Sequence, residues 1–80
     1  VDDIAEAEVT WVIEASAGPN GAIVPDGDVV VADGAAQAFT ITADPTYQVA
    51  DVLVDGVSVG AVTEYTFPAV HETHTIEATF

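Results

Sequence analysis

The sequence predicts an all-β domain, a small antiparallel β-sandwich or curled sheet of six to eight short strands. Three observations lead there. The apolar residues are mostly Val and Ala, 14 of each, with five Ile, one Leu and no Met, and nine Thr stand beside them. Helical cores lean on Leu and Met, whereas β-branched side chains suit a pleated surface. Turn signals cut the chain at short intervals: Gly18-Pro19-Asn20-Gly21, Pro25-Asp26-Gly27, Asp33-Gly34, Asp44-Pro45, Asp55-Gly56 and Gly60. The pieces between them have strand length, and most alternate apolar with polar residues.

The strands read in order. Val9, Trp11, Ile13, Ala15 and Ala17 alternate with Thr10, Val12, Glu14 and Ser16, which sets an inward and an outward face. Ile23 marks a short second strand, and Val29 and Val31 face inward from a third. Phe39, Ile41 and Ala43 alternate with Thr40 and Thr42. From Tyr47 to Asp55 the phase breaks, because Tyr47 and Val49 share one parity and Val52 and Val54 the other. A β-bulge at Ala50-Asp51 would bring all four to one face. Asp55-Gly56 tolerates positive φ and predicts a tight hairpin. Tyr65 and Phe67 flank Thr66, and His74, Ile76, Ala78 and Phe80 alternate with Thr75, Glu77 and Thr79. The predicted core is therefore Trp11, Ile13, Ile23, Val29, Val31, Phe39, Ile41, Tyr47, Val49, Val52, Val54, Tyr65, Phe67, Ile76 and Phe80.

Eighty residues of 8.2 kDa suit one domain. Residues 1–8 mix Asp2, Asp3, Glu6 and Glu8 with Val, Ile and Ala, and read as an acidic N-terminal arm or linker. Residues 9–80 form a single β-rich module. Fourteen Asp and Glu face no Lys or Arg, a formal charge of −14. Ordinary composition would give about 20 charged residues, both signs mixed. That balance excludes a cationic grip on nucleic acid, disfavours anionic membranes, and makes counter-cations obligatory neighbours. No apolar run approaches a membrane span, so no membrane insertion is expected. Without Cys there are no disulfides and no thiolate chemistry, and the redox compartment stays open.

Candidate chemistry is sparse. His71-Glu72-Thr73-His74 sets its two His three residues apart, whereas a zinc helix needs His-Glu-x-x-His. On a strand these two would point to opposite faces, with His74 half-buried and holding one hydrogen bond. Asp26, Asp28 and Asp33 bracket the third strand and are the calcium candidates, since Ca²⁺ gathers several oxygen ligands. The competing reading is that each Asp closes a turn on its own backbone. No Ser-His-Asp order or phosphate loop is present, and so small a chain offers little substrate cleft, so no enzyme is expected. Val12, Val24 and Val30 stand on the outward face, where a solvated sheet normally carries Thr, Ser or charge. They are the interaction candidates.

From Trp11 to Phe80 the chain resembles the divergent internalin-B-type repeat of bacterial and archaeal surface proteins. The resemblance rests on Ile13-Glu14-Ala15 before Gly18-Pro19-Asn20-Gly21, then Ile23, Pro25 and Val29-Val30-Val31. It continues through Phe39-Thr40-Ile41-Thr42 and Tyr47-Gln48-Val49. Its most specific part is Val52-Leu53-Val54-Asp55-Gly56-Val57-Ser58-Val59-Gly60, then Tyr65-Thr66-Phe67 and His74-Thr75-Ile76-Glu77-Ala78-Thr79-Phe80. It implies a small extracellular or cell-surface β module, often in tandem with like modules, and no catalytic residues. Three departures stand out. Thr46 replaces the usual Gly before the Tyr, so the turn there is expected to avoid positive φ. Val12, Val24 and Val30 replace outward Thr or Ser, and the usual Lys and Arg are missing.

Three functional expectations follow. The first is a non-catalytic structural or adhesive module of a cell-surface protein. The second is a self-assembling subunit of an extracellular fibre, joined to copies of itself through edge strands and outward valines. The first strand (Val9 to Ala17) and the last (Thr73 to Phe80) are the expected edges, with residues 1–8 reaching to a neighbour. The third is an engineered, charge-altered version of the module.

Overall fold

The computed structural model describes residues 9–80. The arm read at residues 1–8, and its reach to a neighbour, lie outside them. Eight strands and no helix are present among the described residues. They are β1 (Thr10–Ala17), β2 (Gly21–Val24), β3 (Gly27–Ala32), β4 (Gln37–Ala43), β5 (Asp51–Val54), β6 (Val57–Gly60), β7 (Glu64–Phe67) and β8 (His74–Thr79). They form two sheets, one ordered β3-β1-β8-β5-β6 and the other β2-β4-β7. The fold is a small all-β sandwich.

Alternation decides which face each strand buries. Ile13, Ala15, Ile23, Val31, Phe39, Ile41, Val52, Val54, Phe67, Ile76 and Ala78 are buried between the sheets. Trp11, Val29, Val49, Tyr65 and Phe80 are partly buried and pack against that core. The outward partners Thr10, Glu14, Ser16, Thr40, Thr42, Glu77 and Thr79 stay exposed. Phe67 sits at a centre of aromatic contact. Its ring meets Phe39 and Tyr65 edge-on, at centroid distances of 5.9 and 4.9 Å, and lies 4.8 Å from the His74 ring on the opposite sheet.

The Asp55-Gly56 turn forms as read. Val54 and Val57 face each other across it, with φ of 53° at Asp55 and 83° at Gly56. Both central residues are left-handed, as the twist of a two-residue hairpin requires. This is the one connection that stays within a sheet; the others among β1 to β8 cross from one sheet to the other.

Several expectations are corrected. The sandwich is not wholly antiparallel, because β1 and β8 run parallel, from Ile13 opposite His74 to Ala17 opposite Ala78. Parallel neighbours need a long connection, and here the rest of the domain supplies it. Both strands are consequently interior, so neither expected edge is one; the edges are β3, β6, β2 and β7.

Tyr47 is 51% exposed and leaves the predicted core. It lies in an irregular segment before β5 rather than on a bulged strand, which disposes of the phase break at Ala50-Asp51. The register shift falls instead between Val52 and Leu53, against β6. Thr46 does take positive φ, 72°, because the turn is closed by the Tyr47 N–H donating to the Asp44 carbonyl at 2.9 Å. A β-branched residue there is strained.

Val70 was absent from the predicted core and is fully buried. A backbone clasp holds it: the Gly34 N–H donates to the Val70 carbonyl at 2.7 Å, and the Val70 N–H to the Ala35 carbonyl at 3.0 Å.

Candidate functional site

The outer face of the five-stranded sheet gathers three of the residues singled out from the sequence, Val12, Val30 and Asp28. Val12 on β1 lies directly opposite Val30 on β3, and Glu14 directly opposite Asp28. On the other side of β1, Glu14 faces Thr75 and Ser16 faces Glu77 on β8. The face therefore carries an apolar pair beside a pair of like charges. With no Lys or Arg in the chain, no fixed basic side chain offsets that repulsion. An open concavity of about 480 Å³ lies among Glu14, Asp28, Leu53, Thr75 and Glu77. A smaller one of about 220 Å³ adjoins it between Val12, Glu14, Asp55 and His74.

Val30 is 65% exposed, whereas Val12, with strands on both sides, is half-buried. Val24 is equally exposed but lies on β2, in the other sheet. The three valines therefore make one pair and one outlier, not a single patch.

The calcium candidates are not brought together. Asp26 and Asp28 stand at one end of β3 and Asp33 at the other, so about 17 Å of extended strand separates Asp28 from Asp33. Among the described residues no three His, Asp or Glu are grouped as a metal site would need.

Asp33 has a different role. Its Oδ1 accepts the Trp11 indole N–H at 2.8 Å and the His71 Nδ1–H at 3.1 Å. An ionised carboxylate only accepts, so His71 donates from Nδ1. The indole, then the imidazole, hold the Asp33 carboxyl below the usual carboxylate value. The arrangement ties the start of β1 to the β3–β4 turn and the segment after β7.

Asp55 makes a second tie. Its Oδ2 accepts His74 Nδ1–H at 2.7 Å and its Oδ1 the Thr75 backbone N–H at 2.9 Å. Partial desolvation acts to raise the Asp55 carboxyl, but the His74 bond and the Thr75 N–H outweigh it and hold it low. The His74 side chain is only 15% exposed, and it has the half-buried place read for it. His71, 67% exposed, lies before β8 rather than on it. The two His thus serve two separate Asp, His71 with Asp33 and His74 with Asp55.

Neither tie was legible beforehand, since 22 and 38 residues separate Asp33 from Trp11 and His71, and 19 separate Asp55 from His74. The arrangement can bind and brace; no nucleophile–base pair is assembled among the groups just described. Comparison of the chain with family models, with curated proteins and with solved structures returns no match.

Proposed function

We propose that the chain is a non-catalytic structural or adhesive module of an extracellular surface protein, one that passes tension from one neighbour to the next. The observation that carries this is the parallel pairing of β1 and β8. Parallel neighbours enter and leave at opposite poles. The chain enters the sandwich at Thr10 and leaves it at Thr79, beside the far end of β1. Those points are separated by about seven residues of strand, roughly 25 Å. Modules threaded pole to pole extend in a line when joined, and tension between their ends shears β1 along β8 instead of peeling them apart. The resemblance to surface-protein repeats and the acidic, Thr-rich exterior agree with that role.

The test is force spectroscopy on several copies joined in tandem. Each copy should unfold as a discrete event, lengthening the chain by roughly 220 Å as the strands from Thr10 to Thr79 extend. Featureless extension at low force would remove the tension-bearing reading. The fibre reading loses β1 and β8 as its contact strands, and among the described residues β3 is the edge left to consider.

A further inference from the structure

Of the four edge strands, three are protected. β2 has four residues and runs into Pro25; β7 has four, bears Glu64 and runs into Pro68. β6 also has four, with a register shift against β5 and a left-handed Gly60 at its end, φ 92°. Short length, Pro and bulges are the usual devices that keep an edge from pairing. β3 has no Pro and no bulge within it: it is six residues long, centred on Val29-Val30-Val31, with Gly27 at its start and one charge, Asp28.

Its hydrogen bonds show which groups are open. The Asp33 N–H donates to the Val9 carbonyl at 2.9 Å, in the same register that sets Thr10 opposite Ala32. Antiparallel ladders alternate bonded and non-bonded pairs, so Gly27, Val29 and Val31 bond to β1. Asp28, Val30 and Ala32 then turn their N–H and C=O groups away from it. Only the Ala32 carbonyl among them is taken locally, by the Ala35 N–H at 3.0 Å. The remaining groups have no partner among the described residues.

We infer that this edge takes up an extended cationic segment of another protein, laid antiparallel to β3, with Lys or Arg opposite Asp28 and a β-branched residue opposite Val30. This rests on the adhesive reading above and gives it a partner class. Main-chain bonds to Asp28, Val30 and the Ala32 N–H supply affinity, and alternate side chains on the outer face supply selection. A cation opposite Asp28 sits about one strand spacing, 4.8 Å, away, and an arginine fork there reaches toward Glu14 and the acidic concavity behind it. The apolar neighbour extends the Val12–Val30 pair by one strand. A second copy of this chain fits worse. It brings no Lys or Arg, and edge-to-edge pairing would place Asp26, Asp28 and Glu14 of both copies on one continuous face.

The probe is a labelled seven-residue peptide with threonine at alternate positions, the others reading threonine, valine, arginine, arginine. A twin carries glutamate for arginine, and binding to the full chain is followed by fluorescence anisotropy at low and high salt. The arginine peptide should bind, more weakly as salt rises, and the glutamate peptide should not. Asp28→Asn should weaken binding about two- to fivefold, the range of a cross-strand charge pair. Val30→Pro should abolish it while leaving the β-sheet circular dichroism intact, because the Val30 N–H is not used within the sheet. Should that variant not fold, Asp28→Asn and the peptide pair decide. Equal binding of both peptides, or undiminished binding to folded Val30→Pro, overturns the inference. So does a dimer that Val30→Pro dissolves and the peptide does not displace, which would make a second copy the occupant. None of these outcomes touches the force measurement, so the two readings fail separately.

Discussion

Replacing Phe67 tests whether aromatic geometry, and not bulk alone, stabilises the inner face of the β2-β4-β7 sheet. Phe67 is 4% exposed and makes edge-on contacts with Phe39 and Tyr65, at interplanar angles of 78° and 76°. Leucine at this position keeps most of the apolar burial and loses both contacts. At about 0.5–1.5 kcal/mol per aromatic pair, Phe67→Leu should cost roughly 1–3 kcal/mol. Phe67→Ala adds the cavity and should cost about 3–5 kcal/mol. A domain of this length holds roughly 4–11 kcal/mol in all, so the alanine variant falls near the edge of folding. Urea titration followed by circular dichroism and Trp11 fluorescence reads both. With a slope near 1 kcal/mol per molar urea, Phe67→Leu should lower the midpoint by about 1–3 M without changing that slope. A leucine variant within about 0.5 kcal/mol of the parent would refute the geometric argument, as would one that loses as much as alanine.

Other expectations follow from the same contacts. Thr46→Gly should raise stability by about 0.5–1 kcal/mol, since relief of the left-handed strain exceeds the added chain entropy; a lower melting temperature would contradict it. Asp28→Asn should be neutral or stabilising by about 0.2–1 kcal/mol, because Glu14 and Asp28 face each other as like charges, and the gain should shrink in high salt. The parent's melting temperature should rise steeply between 10 and 150 mM salt, the range over which the Debye length falls from about 30 to 8 Å; indifference to salt would contradict the charge argument. Asp55→Asn bears on pH. The folded Asp55 carboxyl lies below its ordinary value of 3.8, so its stabilisation is complete above that value and fades as pH falls through the folded value. The stability gap between parent and variant, measured by denaturation from pH 6 to pH 2, should therefore close in acid; a constant gap would show that His74 and Thr75 do not hold the ionised form.

Much of the architecture was legible because the signals are local. Ile13, Ile41 and Ile76 reveal their burial through neighbours two residues away, and Asp55-Gly56 reveals its turn through backbone sterics alone. Tyr47 misled for the same reason: its parity was right for a strand, but the Asp44 to Tyr47 turn breaks the chain out of the sheet. Val70, after Pro68-Ala69, has no alternating pattern around it, and its burial comes from a clasp with Gly34 and Ala35 across the chain.

The candidate site divides similarly. That Val12, Val30, Glu14 and Asp28 point outward follows from period two, and that nothing basic offsets the acids follows from composition. Which of them meet depends on pairing. β1 could in principle have been an edge or a centre; burial of Ile13 and Ala15 against the second sheet, with β8 docked alongside, made it a centre and left β3 outside.

The sequence by itself determined the β class, the two faces of each strand, the tight hairpin and the uncompensated charge. Each of these depends on a residue and its near neighbours, or on a simple sum. Only the tertiary structure decided the strand order, the parallel β1–β8 contact, the open β3 edge and the Asp33 and Asp55 ties. Those depend on contacts between distant segments. Loop closure distinguishes them only weakly, because its entropic cost grows with the logarithm of length, so competing pairings differ chiefly in how well the whole set of buried faces closes over one core.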